Sequence, residues 1–226
     1  MLYKAVIFDL DGTLLDTISD IADSVNSALK KLNYQVFSED EYKYFAGRGI
    51  DELIYAVMKK GKIESSEFAN IKTGYIEEYA NKHNSKTKLF PGIMELLEGL
   101  KENNISVNIL SNKPHFQTKT VIEHYFKDFK LDQVFGKKPE FEIKPNPESA
   151  LEMVKLLGLQ TNDILYVGDT NTDIQTAKNA NFDSIGVLWG FRDEKELIES
   201  GADFIVDKPK NILKIALGEG NDFRPK

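Results

Sequence analysis

Cysteine is absent from the sequence of 226 residues, and histidine is scarce. Without cysteine the protein can form neither disulfide bonds nor thiolate metal sites, and it cannot use a cysteine nucleophile. Any metal ion must therefore be held by oxygen or by histidine nitrogen. The three histidines share no metal-ligand spacing, so oxygen ligands are the ones to look for.

Long apolar segments and an excess of basic residues are also missing. No apolar run approaches the roughly 20 residues of a transmembrane helix. The apolar start of the chain ends in Asp9 and Asp11, without the small-residue cleavage site of a signal peptide. The net charge of −7 disfavours nucleic acid as a partner, because phosphate backbones are bound by clustered Lys and Arg. We expect a cytoplasmic protein without membrane or nucleic-acid partners, either a monomer or a small homo-oligomer.

The first part of the chain changes from one strand pattern to a long helical pattern. Residues 4–10 form a β-branched and aromatic run, which predicts a strand that is buried on both faces of a parallel sheet. Between residues 15 and 88 no strand pattern appears, and Ser38 to Glu41 carries the capping-box pattern of a helix start. We therefore predict an all-α domain over residues 15–88. Its clearest helical stripe consists of Ile18, Ile21, Ala22, Val25, Leu29 and Leu32.

After Pro91 the pattern changes to alternating helices and strands, which is typical of an α/β fold with a doubly wound, Rossmann-like parallel sheet. We predict a core domain over residues 1–14 and 89–226, with residues 15–88 inserted after the first strand as a helical cap. Ligands bind at the carboxyl ends of such strands, so the insert would cover the site as a lid. The later predicted strands are residues 105–110, 133–135, 164–167, 184–188 and 204–206, and residues 218–226 are predicted to fray.

Polar side chains cluster at the ends of the predicted strands. In a parallel sheet these ends meet at one rim, which would bring four carboxylates and one ammonium group together. Like charges repel and desolvation penalises each of them, so a divalent cation is expected. Mg²⁺ suits this inventory, because it prefers oxygen ligands and is commonly bound by carboxylates together with substrate phosphate. The residues concerned are Asp9, Asp11, Ser111, Asn112, Lys144, Asp169 and Asp173.

Such a cluster is suited to phosphoryl transfer. Lys144 can act as a point charge against phosphoryl oxygens. An aspartate can serve as a nucleophile when a metal ion and a lysine reduce its repulsion from the phosphate. A neighbouring carboxyl group can then move the proton. The residues therefore indicate a Mg²⁺-dependent enzyme that binds a small phosphorylated substrate.

The order of these motifs resembles the haloacid dehalogenase-like superfamily, in its branch with a helical C1-type cap after the first strand. The resemblance covers nearly the whole chain, and its four motifs agree with the predicted strand ends. Aspartate at position 11 implies a phosphatase or a phosphomutase, since the dehalogenases of the superfamily lack that acid. The motifs are Asp9-Leu10-Asp11-Gly12-Thr13, Ser111-Asn112, Lys144-Pro145, and Gly168-Asp169 with Asp173.

The resemblance implies a role for each motif residue. Asp9 would be the nucleophile that forms an aspartyl-phosphate, and Asp11 would first protonate the leaving oxygen and then activate water. Ser111, the backbone amide of Asn112 and the ammonium group of Lys144 would bind the phosphoryl group, and Lys144 would also steady Asp9. Mg²⁺ would be held by the Asp9 carboxylate, the Asp11 backbone carbonyl and the Asp169 carboxylate, with Asp173 in support.

Two further segments are similar to phosphoglycolate phosphatase-like and related pyrophosphatase-like members, namely Gly186 to Arg192 and Gly47-Arg48-Gly49. Arg48, in the predicted cap, would suit a second anionic group of the substrate, although an ordinary surface arginine fits the sequence equally well. Asn146 departs from the pattern, because relatives carry Ser, Asp or Ala there. This departure weakens the subfamily assignment and leaves Lys144 unaffected.

The leading interpretation is a hydrolase of the phosphoglycolate phosphatase type. Inorganic pyrophosphate, nucleoside monophosphates and sugar phosphates are alternative substrates, because the core motifs do not separate them. A β-phosphoglucomutase-like transfer is disfavoured, because no histidine lies between Thr13 and Asp20. A non-catalytic binder of phosphorylated ligands is disfavoured further, since it would be expected to lack one of Asp9, Asp11, Lys144 and Asp169.

Overall fold

The computed structural model describes residues 3–82 and 85–225. The chain forms two compact units: the α/β unit combines Met1–Leu15 with Leu89–Lys226, and the helical unit is Asp16–Lys88. The strands are β1 (Ala5–Phe8), β2 (Leu15–Asp16), β3 (Lys88–Leu89), β4 (Ser106–Pro114), β5 (Gln133–Lys137), β6 (Ile164–Gly168), β7 (Asp183–Val187) and β8 (Phe204–Val206). The helices are α1 (Ile18–Lys31), α2 (Glu39–Phe45), α3 (Gly49–Gly61), α4 (Phe68–Lys82), α5 (Ile93–Glu102), α6 (His115–Tyr125), α7 (Glu148–Leu157), α8 (Asn171–Ala180), α9 (Glu194–Glu199) and α10 (Pro209–Ala216). None of the described helices has both the length and the apolar character that crossing a bilayer requires.

A six-stranded sheet forms the centre of the α/β unit, with the strand order β5-β4-β1-β6-β7-β8. All neighbouring strands in it run parallel. In the interior of the sheet, Val6 of β1 lies opposite Val107 of β4 on one side and opposite Leu165 of β6 on the other. Because strands flank β1 on both sides and helices cover both faces, its four residues are all buried.

Helices cover both faces of the sheet. Successive side chains of a strand point to opposite sides, so β1 contributes side chains to an apolar cluster on each face. In β1, Val6 and Phe8 lie in an apolar cluster with residues of α5, α6 and α10. Ala5 and Ile7 lie in a second cluster with residues of α7 and α8. The predicted doubly wound α/β fold is therefore confirmed.

The helical unit contains α1 to α4, and α1 packs mainly against α4. The predicted capping box at the start of α2 is confirmed, because the Ser38 hydroxyl accepts a hydrogen bond from the Glu41 N–H while the Glu41 carboxylate accepts one from the Ser38 N–H. The predicted stripe of α1 is buried at Ile18, Ile21, Ala22, Val25 and Leu29.

Asp20 joins the beginning of the helical unit to its end. Its buried carboxylate accepts hydrogen bonds of 2.7 to 3.1 Å from the backbone N–H groups of Lys86 and Thr87 and from the Thr87 hydroxyl. A buried carboxylate is tolerated where such donors replace water. The contacts hold α1 to the segment that leads into β3.

The structure differs from the sequence-based expectation in its shortest elements. β2 and β3, of two residues each, form a small sheet at the two ends of the region that we expected to lack strands. The expectation of a frayed tail is wrong for residues up to 225, because Gly220 is buried and the Arg224 guanidinium lies 4.6 Å from the centre of the Phe204 ring. α10 is absent from the predicted elements, although Pro209 at its start and the spacing of Ile212 and Ile215 were available signals. β2 and β3 contain too few residues for a clear period, so their pairing with each other decides them.

Candidate active site

The carboxyl ends of β1, β4 and β6 lie next to one another, because β1 is hydrogen-bonded to both neighbours. From β1 the chain continues to β4 and β5 on one side, whereas β6 begins the other half of the sheet. Open α/β sheets bind ligands at such a change of direction. Asp9 directly follows β1 and Asp169 directly follows β6, so both carboxylates lie at this point.

Lys144 connects two of the carboxylates. Its Nζ lies 2.9 Å from Oδ1 of Asp9 and 2.7 Å from Oδ1 of Asp173, and it donates a hydrogen bond of 3.1 Å to the Leu110 carbonyl. The lysine side chain is only 2% exposed. A charge withdrawn from water to this extent needs partners of the opposite charge. Lys144 is therefore the cation that makes the burial of Asp9 and Asp173 tolerable.

Burial and charge shift the pKa values of this cluster. Burial raises the pKa of Asp9 to about 7, against the opposing attraction of Lys144. Burial, together with the negative charges of Asp173 and Asp9, holds the pKa of Asp169 well above its usual range. Burial alone would lower the pKa of Lys144, but the neighbouring Asp173 and Asp9 hold it well above the usual range. Lys144 is thus charged at neutral pH. Its single positive charge does not balance the negative charges of Asp9, Asp169 and Asp173 when all three are ionised.

Lys113 is a site residue that the sequence reasoning does not single out. Its side chain is 4% exposed, and its Nζ lies 2.9 Å from Oδ2 of Asp11. The predicted strand ends at Leu110, and Asn-Lys-Pro after it is common turn chemistry. In the structure β4 continues to Pro114, with a change of register between Leu110 and Pro114, and this brings Lys113 to the rim.

Asp9, Asp169 and Asp173 could hold a metal ion, because one carboxylate oxygen of each lies within 4.8 Å of the others. With the Asp11–Lys113 pair and the second lysine, four carboxylates and two ammonium groups meet at this rim. When all four carboxylates are ionised, two negative charges are in excess, and one divalent cation would cancel them. Hard oxygen donors suit Mg²⁺, so the donor set fits the predicted ion.

Asp173 has the contacts of a supporting residue. Its Oδ2 accepts hydrogen bonds from the Thr170 N–H at 3.1 Å and from the Thr170 hydroxyl at 2.6 Å, and its Oδ1 contacts Lys144. The same contacts make Asp173 part of a capping box at the start of α8. One oxygen of Asp173 is therefore paired with a cation and the other accepts two hydrogen bonds, whereas each oxygen of Asp169 accepts one, which favours Asp173 as support of the metal site over direct ligation.

Asp169 is held from two distant parts of the chain. Its Oδ1 accepts a hydrogen bond of 2.9 Å from the Thr13 hydroxyl, and its Oδ2 accepts one of 2.8 Å from the Phe191 N–H. Both approaches depend on glycine, because a Cβ at Gly12 or at Gly190 would come within 2.3 Å of atoms of Asp169. The orientation of the carboxylate is thus set by the loop after β1 and by the loop after β7.

Asn112 has a function that the motif alone does not reveal. Its side-chain carbonyl accepts a hydrogen bond of 2.8 Å from the Lys144 N–H, and its side-chain amide donates one of 3.1 Å to the Lys144 carbonyl. The peptide bond that follows, between Lys144 and Pro145, is cis. The side chain of Asn112 therefore positions the backbone that carries the buried lysine, while Ser111, on the same strand, is buried beside it.

Arg48, a candidate from the sequence, and His115, one of the three histidines, lie in other surroundings. Arg48 belongs to the helical unit, where it is the residue before α3, and its role in substrate binding stays a prediction. The Nδ1 atom of His115, the first residue of α6, accepts a hydrogen bond of 3.1 Å from the Gly136 N–H. Burial and the positive charges of Lys138 and Lys119 lower the pKa of His115, which favours the neutral ring that can accept this bond. His115 thus joins α6 to β5.

We expect the affinity for Mg²⁺ to fall as the pH is lowered through 7, because Asp9, the predicted ligand, has a pKa of about 7 in the metal-free protein and would have to lose its proton to bind the ion. The single tryptophan, Trp189, donates its indole N–H to the Thr13 carbonyl and offers a fluorescence signal beside the site. Titrations with Mg²⁺ at about pH 6 and about pH 8 should differ by up to about tenfold in affinity, with proton release on binding. Asp9→Asn should weaken binding and reduce this pH dependence; equal affinities for the native protein at the two pH values would contradict the expectation.

Comparison with known proteins gives matches over most of the chain. The family model for haloacid dehalogenase-like hydrolases matches residues 6–187. A phosphoglycolate phosphatase from Mannheimia succiniciproducens is 30% identical over 219 residues, which cover 94% of this chain and 98% of that protein. A phosphoglycolate phosphatase from Aquifex aeolicus is 29% identical over 212 residues, which cover 94% of this chain and 96% of that protein. A crystal structure from Haemophilus somnus, described as a predicted phosphoglycolate phosphatase, is similar with a TM-score of 0.89 and 29% identity, and the match covers 95% of this chain and 98% of that one.

Proposed function

The chain belongs to the haloacid dehalogenase-like hydrolases and is a phosphatase, and on this basis we propose that it hydrolyses a small phosphate monoester with Mg²⁺ through a phosphorylated Asp9. The observation that carries the proposal is the environment of Asp9. Its buried carboxylate directly follows the central strand β1, and its Oδ1 lies 2.9 Å from the ammonium group of Lys144. A carboxylate that is positioned and partly neutralised in this way suits nucleophilic attack on phosphorus.

In the first step a carboxylate oxygen of Asp9 forms a bond to phosphorus, and the bond between phosphorus and the ester oxygen breaks. Asp11 gives its proton to that oxygen as it leaves. Lys144 holds Asp9 in place and offers positive charge to the phosphoryl oxygens, while the Ser111 hydroxyl and the Asn112 N–H donate hydrogen bonds to them. Ser111 and Asn112 suit this role because both are buried on β4, the strand beside β1.

In the second step a water oxygen forms a bond to phosphorus, and the bond between phosphorus and Asp9 breaks. Asp11, now ionised, accepts the proton of the attacking water. Its two oxygens are suited to this alternation, because Oδ2 contacts Lys113 whereas Oδ1 has no hydrogen-bond partner in the described part of the chain. Inorganic phosphate leaves, and Asp11 is protonated again for the next cycle.

The metal site would be made by the carboxylates of Asp9 and Asp169 and the backbone carbonyl of Asp11. When bound there, Mg²⁺ supplies positive charge that reduces the repulsion between the nucleophile and the phosphate. The hydrogen bonds from Thr13 and Phe191 hold Asp169 ready for this purpose. Supporting hydrogen bonds of this kind usually contribute to metal affinity.

The substrate that we propose is 2-phosphoglycolate, because relatives aligned over almost their full length carry that activity in their names. Residues of the helical unit, Arg48 among them, would add to specificity. A cytoplasmic location, a monomer or small homo-oligomer, and the absence of nucleic-acid and membrane partners stay predictions from the composition.

Phosphate release from a panel of esters tests this proposal. The panel contains 2-phosphoglycolate, inorganic pyrophosphate, nucleoside monophosphates and hexose phosphates, each measured with Mg²⁺ and after chelation. We expect 2-phosphoglycolate to give the highest kcat/KM, and we expect chelation to abolish release until Mg²⁺ is returned. Preference for another member would reassign the substrate, and an isomerised hexose phosphate in place of free phosphate would favour the mutase. No release from any ester in Mg²⁺ would contradict the proposed activity.

A further inference from the structure

We propose that Lys113 is a specificity residue that binds a carboxylate of the substrate, attached to the carbon next to the ester oxygen. This inference rests on the proposed phosphatase function and deepens it, because it states which part of the α/β unit recognises the group that leaves. The preferred substrate class would be phosphate esters of 2-hydroxy acids. 2-Phosphoglycolate is the smallest member of that class.

The phosphoryl-transfer residues are complete without Lys113. Lys144 already supplies the ammonium group that contacts Asp9, and Ser111 and Asn112 supply hydrogen-bond donors. Withdrawing a second ammonium group from water costs several kcal/mol before any pairing. With 4% exposure, Lys113 bears this cost although its partner Asp11 is still 18% exposed. A second buried cation beside the leaving group therefore calls for a function beyond neutralising the phosphoryl group.

The different surroundings of the two Asp11 oxygens indicate where the leaving group lies relative to Lys113. Oδ2 lies 2.9 Å from Nζ of Lys113, whereas Oδ1 is buried and has no hydrogen-bond partner among the described residues. Oδ1 is therefore the oxygen that can exchange a proton with the leaving oxygen. The leaving oxygen and the ammonium of Lys113 would then contact the two oxygens of one carboxyl group.

A carboxylate on the carbon next to the ester oxygen is within reach of that ammonium group. An ammonium group carries three N–H donors, so it can contact Asp11 and a substrate carboxylate at the same time. Hydrogen bonds between two charged groups are shorter and stronger than those between neutral groups. An ester with a hydroxymethyl group in place of the carboxylate would lose this charge-assisted contact and keep the rest of the reaction unchanged.

A different role for Lys113 makes a different prediction. If the lysine only holds Asp11 in position, its removal slows the hydrolysis of every ester by the same factor. If it binds a substrate carboxylate, its removal lowers the activity on carboxylate esters more than on neutral ones. Arg48 is the other residue that the sequence suggests for a second anion, so it provides the comparison.

The test uses two substrates of matched size, 2-phosphoglycolate and 2-hydroxyethyl phosphate, with the full-length native protein, Lys113→Met and Arg48→Met. We expect Lys113→Met to lower the ratio of kcat/KM for the two esters by about 10- to 100-fold, mainly through KM for 2-phosphoglycolate. Lys113→Gln, which keeps a donor toward Asp11, should lower the ratio in the same direction, and it serves if the methionine variant does not fold by circular dichroism.

Each outcome separates this inference from the proposed function. If the ratio is unchanged in the Lys113 variants, whether activity stays the same or falls equally for both esters, the inference is overturned. Lys113 is then a positioning residue for Asp11. A ratio that falls only in Arg48→Met overturns it as well and assigns the carboxylate to the arginine. If the native protein releases phosphate from neither ester, the proposed function fails, and this result differs from any change of ratio.

Discussion

Asp9→Asn is expected to lower phosphate release by about 10³-fold or more, because an amide oxygen is a poor nucleophile and the proposed two-step route through an aspartyl-phosphate would be closed. The loss should appear in kcat with the best ester of the panel and saturating Mg²⁺. Protein quenched in acid during turnover should carry a phosphoryl group on the peptide that contains Asp9. This label should be absent from the variant.

The matched control is Asp128→Asn, because that side chain is 89% exposed and lies outside the candidate site. Its activity should equal that of the native protein. Release that survives in Asp9→Asn, or a phosphoryl label on another residue, would contradict the assignment of the nucleophile.

The stability of Asp9→Asn provides a second measurement on the same variant. Burial raises the pKa of Asp9 from 3.8 to about 7, so the folded protein disfavours the ionised carboxylate. Without metal, this penalty is absent below pH 3.8, grows as the pH rises, and is complete above about pH 7. Metal-free Asp9→Asn should therefore unfold at higher urea than the native protein at about pH 8, by up to about 4 kcal/mol. Lost activity together with increased stability would exclude misfolding as the cause.

Lys144→Met is expected to abolish activity and to reduce stability by about 3–5 kcal/mol at neutral pH, because it leaves the carboxylates of Asp9 and Asp173 buried without their cation. The loss should be smaller at about pH 5, where protonation can neutralise buried carboxylates. Urea unfolding of the metal-free protein at the two pH values measures the effect.

Two companion variants show whether charge is the cause. Lys155→Met removes a lysine that is 77% exposed, and it should leave stability and activity nearly unchanged. Adding Asp173→Asn to Lys144→Met removes one of the two uncompensated carboxylates, so it should restore part of the stability without restoring activity. The charge argument would be refuted if Lys144→Met were as stable as the native protein. It would also be refuted if the double variant were less stable than Lys144→Met.

The fold was predictable where the pattern is long. The stripe of α1 and the alternation of strands and helices after Pro91 extend over many residues, so period and burial agree. β2 and β3 contain two residues each and carry no period, and the pattern also does not indicate that β4 continues to Pro114. Such lengths are decided by hydrogen bonding to neighbouring strands, which are distant in the sequence.

The meeting of Asp9, Lys144, Asp169 and Asp173 was predictable from local information. Each residue lies at the carboxyl end of a predicted strand or within the segment that follows it. The carboxyl ends of parallel strands share one edge of the sheet. The pairing of Lys113 with Asp11 was not predictable, because it depends on the register change in β4 and joins residues about a hundred positions apart.

The sequence by itself therefore determined the family, the α/β class and the set of chemical groups available for phosphoryl transfer, because these depend on residue types and on patterns within single elements. The tertiary structure alone decided how those groups are paired. Only the folded chain brings the side chain of Asn112 into hydrogen bonds with the Lys144 backbone. The same holds for the contacts of both Asp173 oxygens and for the hydrogen bond from the Phe191 N–H to Asp169. The physical reason is that hydrogen bonds and ion pairs act over about 3 Å, and contacts at that distance between remote residues exist only once the sheet has brought their strands and loops together.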